Sequence, residues 1–277
     1  MSTILARRTI NLVLMMALAG LLGSVPAVAD ESDLERGIAA FEAEDYDRAY
    51  ELLKPEAEAG DADARYYVGR MYDFGLGVEQ DFERGIRTTH RAAQQGQPQA
   101  QRTIGYSYLK GAGVREDHEE AARWYRKAAE AGDPPAQRSM GLRYKRGEGV
   151  ERDYQQAAEW FRRAAGQDDA WAAYELGEIY YYGRGPFELD YDQAHHWFGE
   201  AARAGNARAQ YALGGLYLQG LGVDSDNEVA YVWTLMAAEQ GHKAAQQAWD
   251  NAGWYLDEEQ KKRVREQVEE GVVPAID

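Results

Sequence analysis

A pattern of about 36 residues recurs five times along this chain of 277 residues. Its landmark glycines Gly69, Gly105, Gly141 and Gly177 are 36 residues apart, and Gly214 follows after 37 because the turn before it carries one extra residue. Each copy consists of a helical pattern, a glycine-rich turn and a second helical pattern. A fixed period of this length is typical of a solenoid, in which each unit buries its apolar face against its neighbours.

The motifs of one copy show what is repeated. They are A-x-x-x-I-G-x-x-Y over Ala100–Tyr108, G-x-G-V-x-x-D over Gly111–Asp117 and A-A-x-W-Y-x-x-A-A over Ala121–Ala129. With their counterparts in the other copies, these motifs resemble the Sel-one-like repeat, a relative of the tetratricopeptide repeat. The resemblance covers residues 62–242. It implies an all-α fold, a right-handed α-solenoid of helix–turn–helix repeats, and a scaffold that binds other molecules rather than one particular reaction.

The domain organisation follows from the repeats. We expect five of them, over residues 62–97, 98–133, 134–169, 170–206 and 207–242. Residues 30–61 predict an N-terminal half-repeat that caps the exposed core of the array. Residues 243–277 predict C-terminal capping helices and then a loose tail from Gly271 to Asp277.

Residues 1–29 have the features of a secretory signal peptide. Arg7 and Arg8 form a basic start, an apolar run over residues 10–22 is short for a membrane span, and a small-x-small motif ends at Ala29. We expect cleavage after Ala29, no membrane span afterwards, and a periplasmic or secreted location in a Gram-negative bacterium. An uncleaved anchor helix is the alternative, and the arginine pair leaves general and twin-arginine export open.

Composition excludes several classes of function. The chain has no cysteine, so it has no disulfide, no zinc–thiolate site and no cysteine nucleophile. Its net charge of −16 argues against nucleic-acid binding, which needs a basic surface to release counterions. We therefore expect no nucleic-acid partner.

No catalytic or metal-binding pattern stands out from the repeat. The Gly-x-Gly turns occur in all five copies, so they serve the repeat rather than a phosphate site. His195 and His196 are adjacent, point in different directions on a helix and lack a partner four residues on, which predicts no metal site. No serine lies in a Gly-x-Ser-x-Gly elbow. We expect a protein that is not an enzyme and has no cofactor, with a hydrolase as the least favoured reading.

Function is expected where equivalent positions vary chemically between copies. Positions two, six, nine and ten after the repeated alanine of each first helix face away from the buried positions. In an acidic chain, these positions carry six basic, two acidic and seven aromatic residues. We predict a concave ligand-binding groove formed by Tyr66, Arg70, Phe74, Arg102, Tyr106, Lys110, Arg138, Lys145, Arg146, Tyr174, Glu178, Tyr181, Tyr182 and Tyr211.

The chemistry of these residues predicts the ligand class. Arginine forks bind both oxygens of a carboxylate, and tyrosines supply rigid contact area. We predict a periplasmic adaptor that binds a protein or peptide segment with acidic or aromatic features. The alternative is a module for an envelope or exported anionic polysaccharide, with tyrosines stacking on sugars. Against both stands the possibility that the tyrosines pack between repeats and the basic residues pair with acidic neighbours.

Overall fold

The computed structural model describes residues 32–251 and 255–276, so the predicted signal peptide lies outside the described residues. None of the helices in these two ranges is long and apolar enough to cross a membrane. The described residues form fourteen helices: α1 Asp33–Glu42, α2 Tyr46–Ala59, α3 Ala62–Phe74, α4 Phe82–Gln94, α5 Pro98–Lys110, α6 His118–Glu130, α7 Pro134–Arg146, α8 Tyr154–Ala165, α9 Ala170–Tyr182, α10 Tyr191–Arg203, α11 Ala207–Gln219, α12 Asn227–Glu239, α13 Lys243–Asp250 and α14 Glu258–Glu269.

The helices pack in chain order, as a solenoid requires. In each repeat the first helix packs on the second, as α5 does on α6, and the second then packs on the first helix of the next repeat, as α6 does on α7. The predicted all-α solenoid of helix–turn–helix repeats is confirmed. We call α3, α5, α7, α9 and α11 the first helices, and α4, α6, α8, α10 and α12 the second helices.

The ends of the helices are set by local side chains. Asp133, which was predicted as an N-cap, accepts a hydrogen bond from the backbone N–H of Ala136 at 2.7 Å. Asp117 caps the second helix of its repeat in the same way. Gly111 ends the first helix with φ 66°, a left-handed conformation that a residue with a side chain adopts only at a cost.

The glycine in the middle of each first helix allows the two helices of a repeat to approach closely. A Cβ atom on Gly141 would lie 2.5 Å from the ring of Phe161, and one on Gly177 would lie 2.5 Å from the ring of Phe198. Glycine in a helix costs up to about 1 kcal/mol relative to alanine. This cost is offset because the facing aromatic ring packs against the bare backbone.

Three of the four tryptophans of the second helices are buried in the core, and Trp197 is partly buried against it. Trp124 and Trp160 are 7% exposed, and Trp233 is fully buried. The first repeat has Thr88 at this position, and the consequence of that exchange is described below.

A recurring glutamine fixes the register between neighbouring repeats. Gln101, Gln137 and Gln210 each follow the repeated alanine, and each donates to a carbonyl eight residues earlier, at the end of the preceding second helix. Their Nε2–O distances are all 3.2 Å. Because the glutamines are buried, these bonds satisfy carbonyls at helix ends that would otherwise lack partners.

The C-terminal residues differ from expectation. Asp257 and Gln260 form a capping box that starts α14, but the segment after Gly271 is not a loose tail. Pro274 is buried, and Ile276 packs against the core around α10. The side chain of Ile276 packs directly over Gly199, because a Cβ atom on Gly199 would lie only 3.0 Å from it. Gly199 leaves room for Ile276 where earlier repeats carry arginine, as at position 162.

Candidate functional site

The fourteen predicted groove residues all lie on the first helices of the five repeats. The structure divides them into three regions. We call these the C-terminal cavity, the ion-paired strip and the N-terminal cavity.

The C-terminal cavity has a volume of about 670 Å³. Its walls combine predicted and unpredicted residues, and the predicted Tyr182 is 54% exposed at its edge. Inside, the Tyr174 hydroxyl donates to Glu178 Oε1 at 3.0 Å. The lining includes the predicted Tyr174, Glu178, Tyr181, Tyr182 and Tyr211, together with Phe198, Arg208, Tyr231 and His242.

Burial determines the protonation of two groups in this cavity. Burial, and then the charge of Glu178, raises the pKa of Tyr174, so its hydroxyl stays a donor. Burial, and then the nearby Arg208, lowers the pKa of His242 and favours the neutral imidazole. The Arg208 guanidinium itself lies 5.3 Å from the ring centre of Trp171. The cavity thus combines aromatic walls with a few polar groups, the composition that is typical of ligand-binding pockets.

The ion-paired strip consists of the basic residues of the middle repeats. Arg102 Nε lies 3.0 Å from Asp133, and Arg138 Nη1 lies 2.9 Å from Asp169. The two aspartate side chains are only 6% and 7% exposed, and each also caps the next first helix. These guanidinium groups thus connect each first helix to the start of the next one, and removing them would leave two buried carboxylates without a counter-ion.

Lys145 extends the strip towards the C-terminal cavity. Its Nζ lies 2.6 Å from Glu175 and 2.9 Å from Glu178. Burial by itself would lower the pKa of Lys145, but the hydrogen bonds to both glutamates raise it above its ordinary value. Lys110 and Arg146 are exposed, and Arg146 lies 3.8 Å from Glu148. Most of the predicted cationic strip is therefore used inside the array.

The N-terminal cavity has a volume of about 610 Å³ and is lined by the predicted Tyr66, Arg70, Phe74, Arg102 and Tyr106. The Arg70 guanidinium lies 5.2 to 5.9 Å from the ring centres of three aromatic residues, two of which are Tyr66 and Phe74. Tyr66 is only 7% exposed, whereas Phe74 is 64% and Tyr106 is 53% exposed. This cavity therefore presents aromatic edges at the surface.

A carboxyl group also lines the N-terminal cavity. Burial raises the pKa of Asp73 to about 6, against the opposing charge of Arg70. The Asp73 carboxyl lies directly against Gly85, which replaces the alanine found at this position in the next repeats. The missing methyl group makes room for the buried carboxyl.

Sequence reasoning missed the contribution of the second helices. Ile86 lines the N-terminal cavity and Tyr231 lines the C-terminal one. Both occupy the column that holds Ala122 and Ala158 in the second and third repeats. The signal was present, because this column holds a large side chain in the first, fourth and fifth repeats, as Ile86, His195 and Tyr231.

The two cavities combine aromatic walls with a few polar groups. Within residues 32–251 and 255–276, no group of three or more His, Cys, Asp or Glu residues could hold a metal ion. Of the five histidines in the chain, His242 lies in a cavity, where its Nδ1 accepts from the backbone N–H of Ala245. That bond is used for capping α13.

Comparison with known proteins identifies the same repeat in a family model and in solved structures. The model of the Sel1 repeat matches residues 62–97, 98–133, 134–169, 172–206 and 207–242. A Sel1 repeat protein from Oxalobacter formigenes is 30% identical, with a TM-score of 0.76 over 87% of this chain and 96% of that chain. The protective antigen c5321 of uropathogenic Escherichia coli, which displays an SLR fold, is 33% identical. Its TM-score is 0.76, over 86% of this chain and 53% of that chain. No curated protein sequence matched the chain.

The repeat matches cover more than half of the chain, and the similarity to the Oxalobacter protein extends over nearly all of both molecules. Repeats of this kind are typical of scaffolds for protein–protein interaction and are generally not enzymes. The chain belongs to the Sel1 repeat family.

Proposed function

We propose that the protein is a non-enzymatic scaffold that binds a protein or peptide segment along its first helices. The observation that carries the proposal is the C-terminal cavity, about 670 Å³ in volume and lined by tyrosines from α9, α11 and α12. A cavity of this size accepts one or two large side chains of a partner.

The tyrosines supply the binding energy in this proposal. Tyrosine buries a large area at a low entropic cost, and such residues dominate the energetics of protein interfaces. Tyr182 and Tyr181 stand edge to face, with ring centres 4.9 Å apart, which holds Tyr182 in position at the edge of the cavity. The partner therefore offers an aromatic or aliphatic anchor. The N-terminal cavity, with its exposed Phe74 and Phe82, provides a second contact of the same chemistry.

The ion pairs weigh against the polysaccharide alternative. Uronate carboxylates would need free arginines, but Arg102 and Arg138 are paired with Asp133 and Asp169. Binding a uronate there would expose two buried aspartates at a net cost. Lys110, exposed at the edge of the strip, remains for an acidic group of a protein partner.

The test is an in-cell crosslink from a photoreactive residue at position 182, with a matched probe at the exposed Glu119 on the second helix α6. One discrete protein adduct from position 182, absent from position 119, supports the scaffold. A polydisperse adduct removed by polysaccharide lyases would favour the carbohydrate module. Equal adducts from both positions would refute binding at the C-terminal cavity.

We also propose that residues 1–29 direct export and that the scaffold acts in the periplasm. The basic start, the apolar run and the small-x-small motif ending at Ala29 support this proposal. N-terminal sequencing of the protein from the periplasmic fraction is expected to begin at Asp30. Recovery of the intact N-terminus from the cytoplasm would contradict it.

A further inference from the structure

A second surface, outside the fourteen predicted groove residues, carries a concentration of positive charge. A cavity of about 290 Å³ opens beside α2, α3 and α4, on the side of the second helices. We call it the cation pocket. Its lining holds five basic residues and one carboxylate, a net charge of +4 in a chain of net charge −16. These residues are Lys54, Arg65, Arg84, Arg87, Arg91 and Glu58.

The pocket exists because the first repeat lacks its tryptophan. Thr88 lines the pocket at the position that Trp124 occupies in the second repeat and Trp160 in the third. An indole at position 88 would fill much of the space that the threonine leaves open. Its smaller side chain also places a hydroxyl group, which can donate to an anion, in the lining.

The same exchange changes the surroundings of Arg91. In the second repeat the equivalent Lys127 lies 4.0 Å from the ring centre of Trp124, and in the third Arg163 lies 4.7 Å from that of Trp160. These cations rest on an indole face. Arg91 has Thr88 in place of that ring, so its guanidinium lines the pocket without this stacking partner.

The neighbouring cations are held by aromatic rings rather than by carboxylates. The Arg84 guanidinium lies 4.2 Å from the ring centre of Tyr72, and Lys54 Nζ lies 5.5 Å from that of Tyr50. Within residues 32–251, no carboxylate lies at ion-pair distance from Lys54, Arg84 or Arg91. A ring positions a cation without neutralising it.

The other two basic residues complete the positive field. Arg87 pairs with Glu83 at 3.1 Å, but both side chains are more than half exposed, so this pair is weak. Arg65 donates to the carbonyl of Ala57 and to Gln95, which anchors its guanidinium in the wall of the pocket. Neither of these contacts of Arg65 removes its charge.

We infer that the cation pocket binds a phosphoryl group, either free or carried by a larger molecule. A single carboxylate would balance one of the four net charges, whereas a phosphoryl group carries up to two charges and three acceptor oxygens. Arginine forks match phosphoryl oxygens in pairs. The volume of the pocket is sufficient for one or two phosphoryl groups but small for a folded partner.

The experiment titrates the full-length exported protein calorimetrically with inorganic diphosphate at low salt. It also measures flotation with phosphatidylcholine vesicles that contain phosphatidic acid, against phosphatidylcholine alone. Saturable binding to either probe is expected, weakening as salt rises. Binding to diphosphate alone identifies a soluble phosphoryl ligand, and binding to the vesicles identifies a lipid headgroup.

Variants locate the site. Thr88→Trp restores the indole of the other repeats, and the double change Arg84→Gln with Arg91→Gln removes two charges. Each is expected to weaken binding about tenfold or more. Thr88→Trp fills the pocket, and the double change removes charge-assisted hydrogen bonds to the phosphoryl oxygens. Arg163→Gln, the matched change over Trp160, is the control and is expected to bind normally.

Two independent variants test the cation pocket, so a variant that fails to fold does not prevent the test. Thermal unfolding checks that Thr88→Trp is folded, and the double glutamine variant tests the same site if it is not. Unchanged binding in the double variant, equal loss in Arg163→Gln, or no saturable binding to either probe would each overturn the assignment.

Discussion

The ion-paired strip and the C-terminal cavity occupy equivalent positions of neighbouring repeats, yet they use their side chains differently. In the strip, Arg138 reaches the cap of the next first helix and is bound there by Asp169. In the following repeat, Tyr174 occupies the same position, and the residue that caps the next helix is the uncharged Asn206. With no ion pair across that junction, the tyrosines line an open cavity. Equivalent geometry therefore gives an ion pair between helices or an open cavity, depending on whether the next cap is charged.

Lys145 marks the boundary between the two regions. It lies in the strip, but one of its two partners, Glu178, also lines the C-terminal cavity. A change at this residue affects both regions, which makes it useful for separating their roles.

The largest expected effect comes from closing the space between paired helices. Gly177→Ala and Gly141→Ala each place a Cβ 2.5 Å from an aromatic ring of the facing helix. An overlap this close places the cost of overpacking at the upper end of the usual range, about 3 kcal/mol. Alanine recovers up to about 1 kcal/mol of helix propensity, so we expect a net loss of about 2 kcal/mol by urea unfolding.

These two variants distinguish the regions by their effect on binding. The ring displaced by Gly177→Ala is Phe198, which lines the C-terminal cavity, so crosslinking from position 182 should fall. Gly141→Ala displaces Phe161 below the strip and should leave crosslinking intact. Equal loss of crosslinking in both would show that the cavity depends on the whole array.

The next effect concerns the boundary residue. Lys145→Met leaves the carboxylates of Glu175 and Glu178, which are 15% and 26% exposed, without their shared cation. We expect the free energy of unfolding to fall by about 2 kcal/mol, the cost of an unsatisfied, largely buried charged group. The matched change Lys110→Met, at an exposed site on α5, should alter stability by less than about 0.5 kcal/mol. Similar values for the two lysines would mean that the strip does not hold the repeats together.

A smaller effect, with a defined pH dependence, is expected at the N-terminal cavity. Burial raises the pKa of Asp73 from 3.8 to about 6, so the folded protein keeps a proton that the unfolded chain releases. The free energy of unfolding should therefore fall as the pH rises from about 4 to about 6. Asp73→Asn removes this loss and should stabilise the protein by about 1 kcal/mol at pH 7, less than the full shift implies because the group is only half-buried.

The measurement is urea unfolding at several pH values. Glu79→Gln, an exposed change in the adjacent turn, is the control and should leave the pH dependence of the parent protein. If Asp73→Asn and the parent protein show the same pH profile between pH 4 and 6, the carboxyl of Asp73 is not the group responsible.

The smallest effect is expected at the C-terminal segment. Ile276→Ala removes a half-buried side chain from the core around Gly199, and we expect a loss of about 1 kcal/mol from the apolar area exposed. Val273→Ala, at a residue 44% exposed, should have little effect. Equal stabilities of the two variants in urea would indicate that the segment does not contribute to the core.

Much of the fold was predictable because its determinants lie within one repeat. The glycine at position 141, the buried Trp160 and the cap at Asp133 all follow from local spacing, and the structure places each as expected. Such contacts join residues of the same repeat, so the repeat pattern displays them directly.

The candidate site was less predictable because it depends on the register between repeats. The sequence shows that Arg138 is basic and that Asp169 is a cap, but not that the two side chains meet across 31 residues. The docking of Ile276 was missed for the same reason, since its partner Gly199 lies far away in the chain. A glycine in a column otherwise occupied by large residues was the available signal.

The two ion pairs of the strip, Arg102–Asp133 and Arg138–Asp169, have a consequence for the deletion of whole repeats. Arg102 and Arg138 each pair with the aspartate that ends their own unit, 31 residues ahead, and that aspartate caps the next first helix. Deleting residues 134–169 would leave Asp133 to start the helix beginning at Ala170, with Arg102 still beside it. The arginine pairs therefore need no new partner when a whole unit is removed. At Lys145 the same deletion would leave Glu175 and Glu178 without their shared cation, so the loss of a unit has its cost at the edge of the C-terminal cavity.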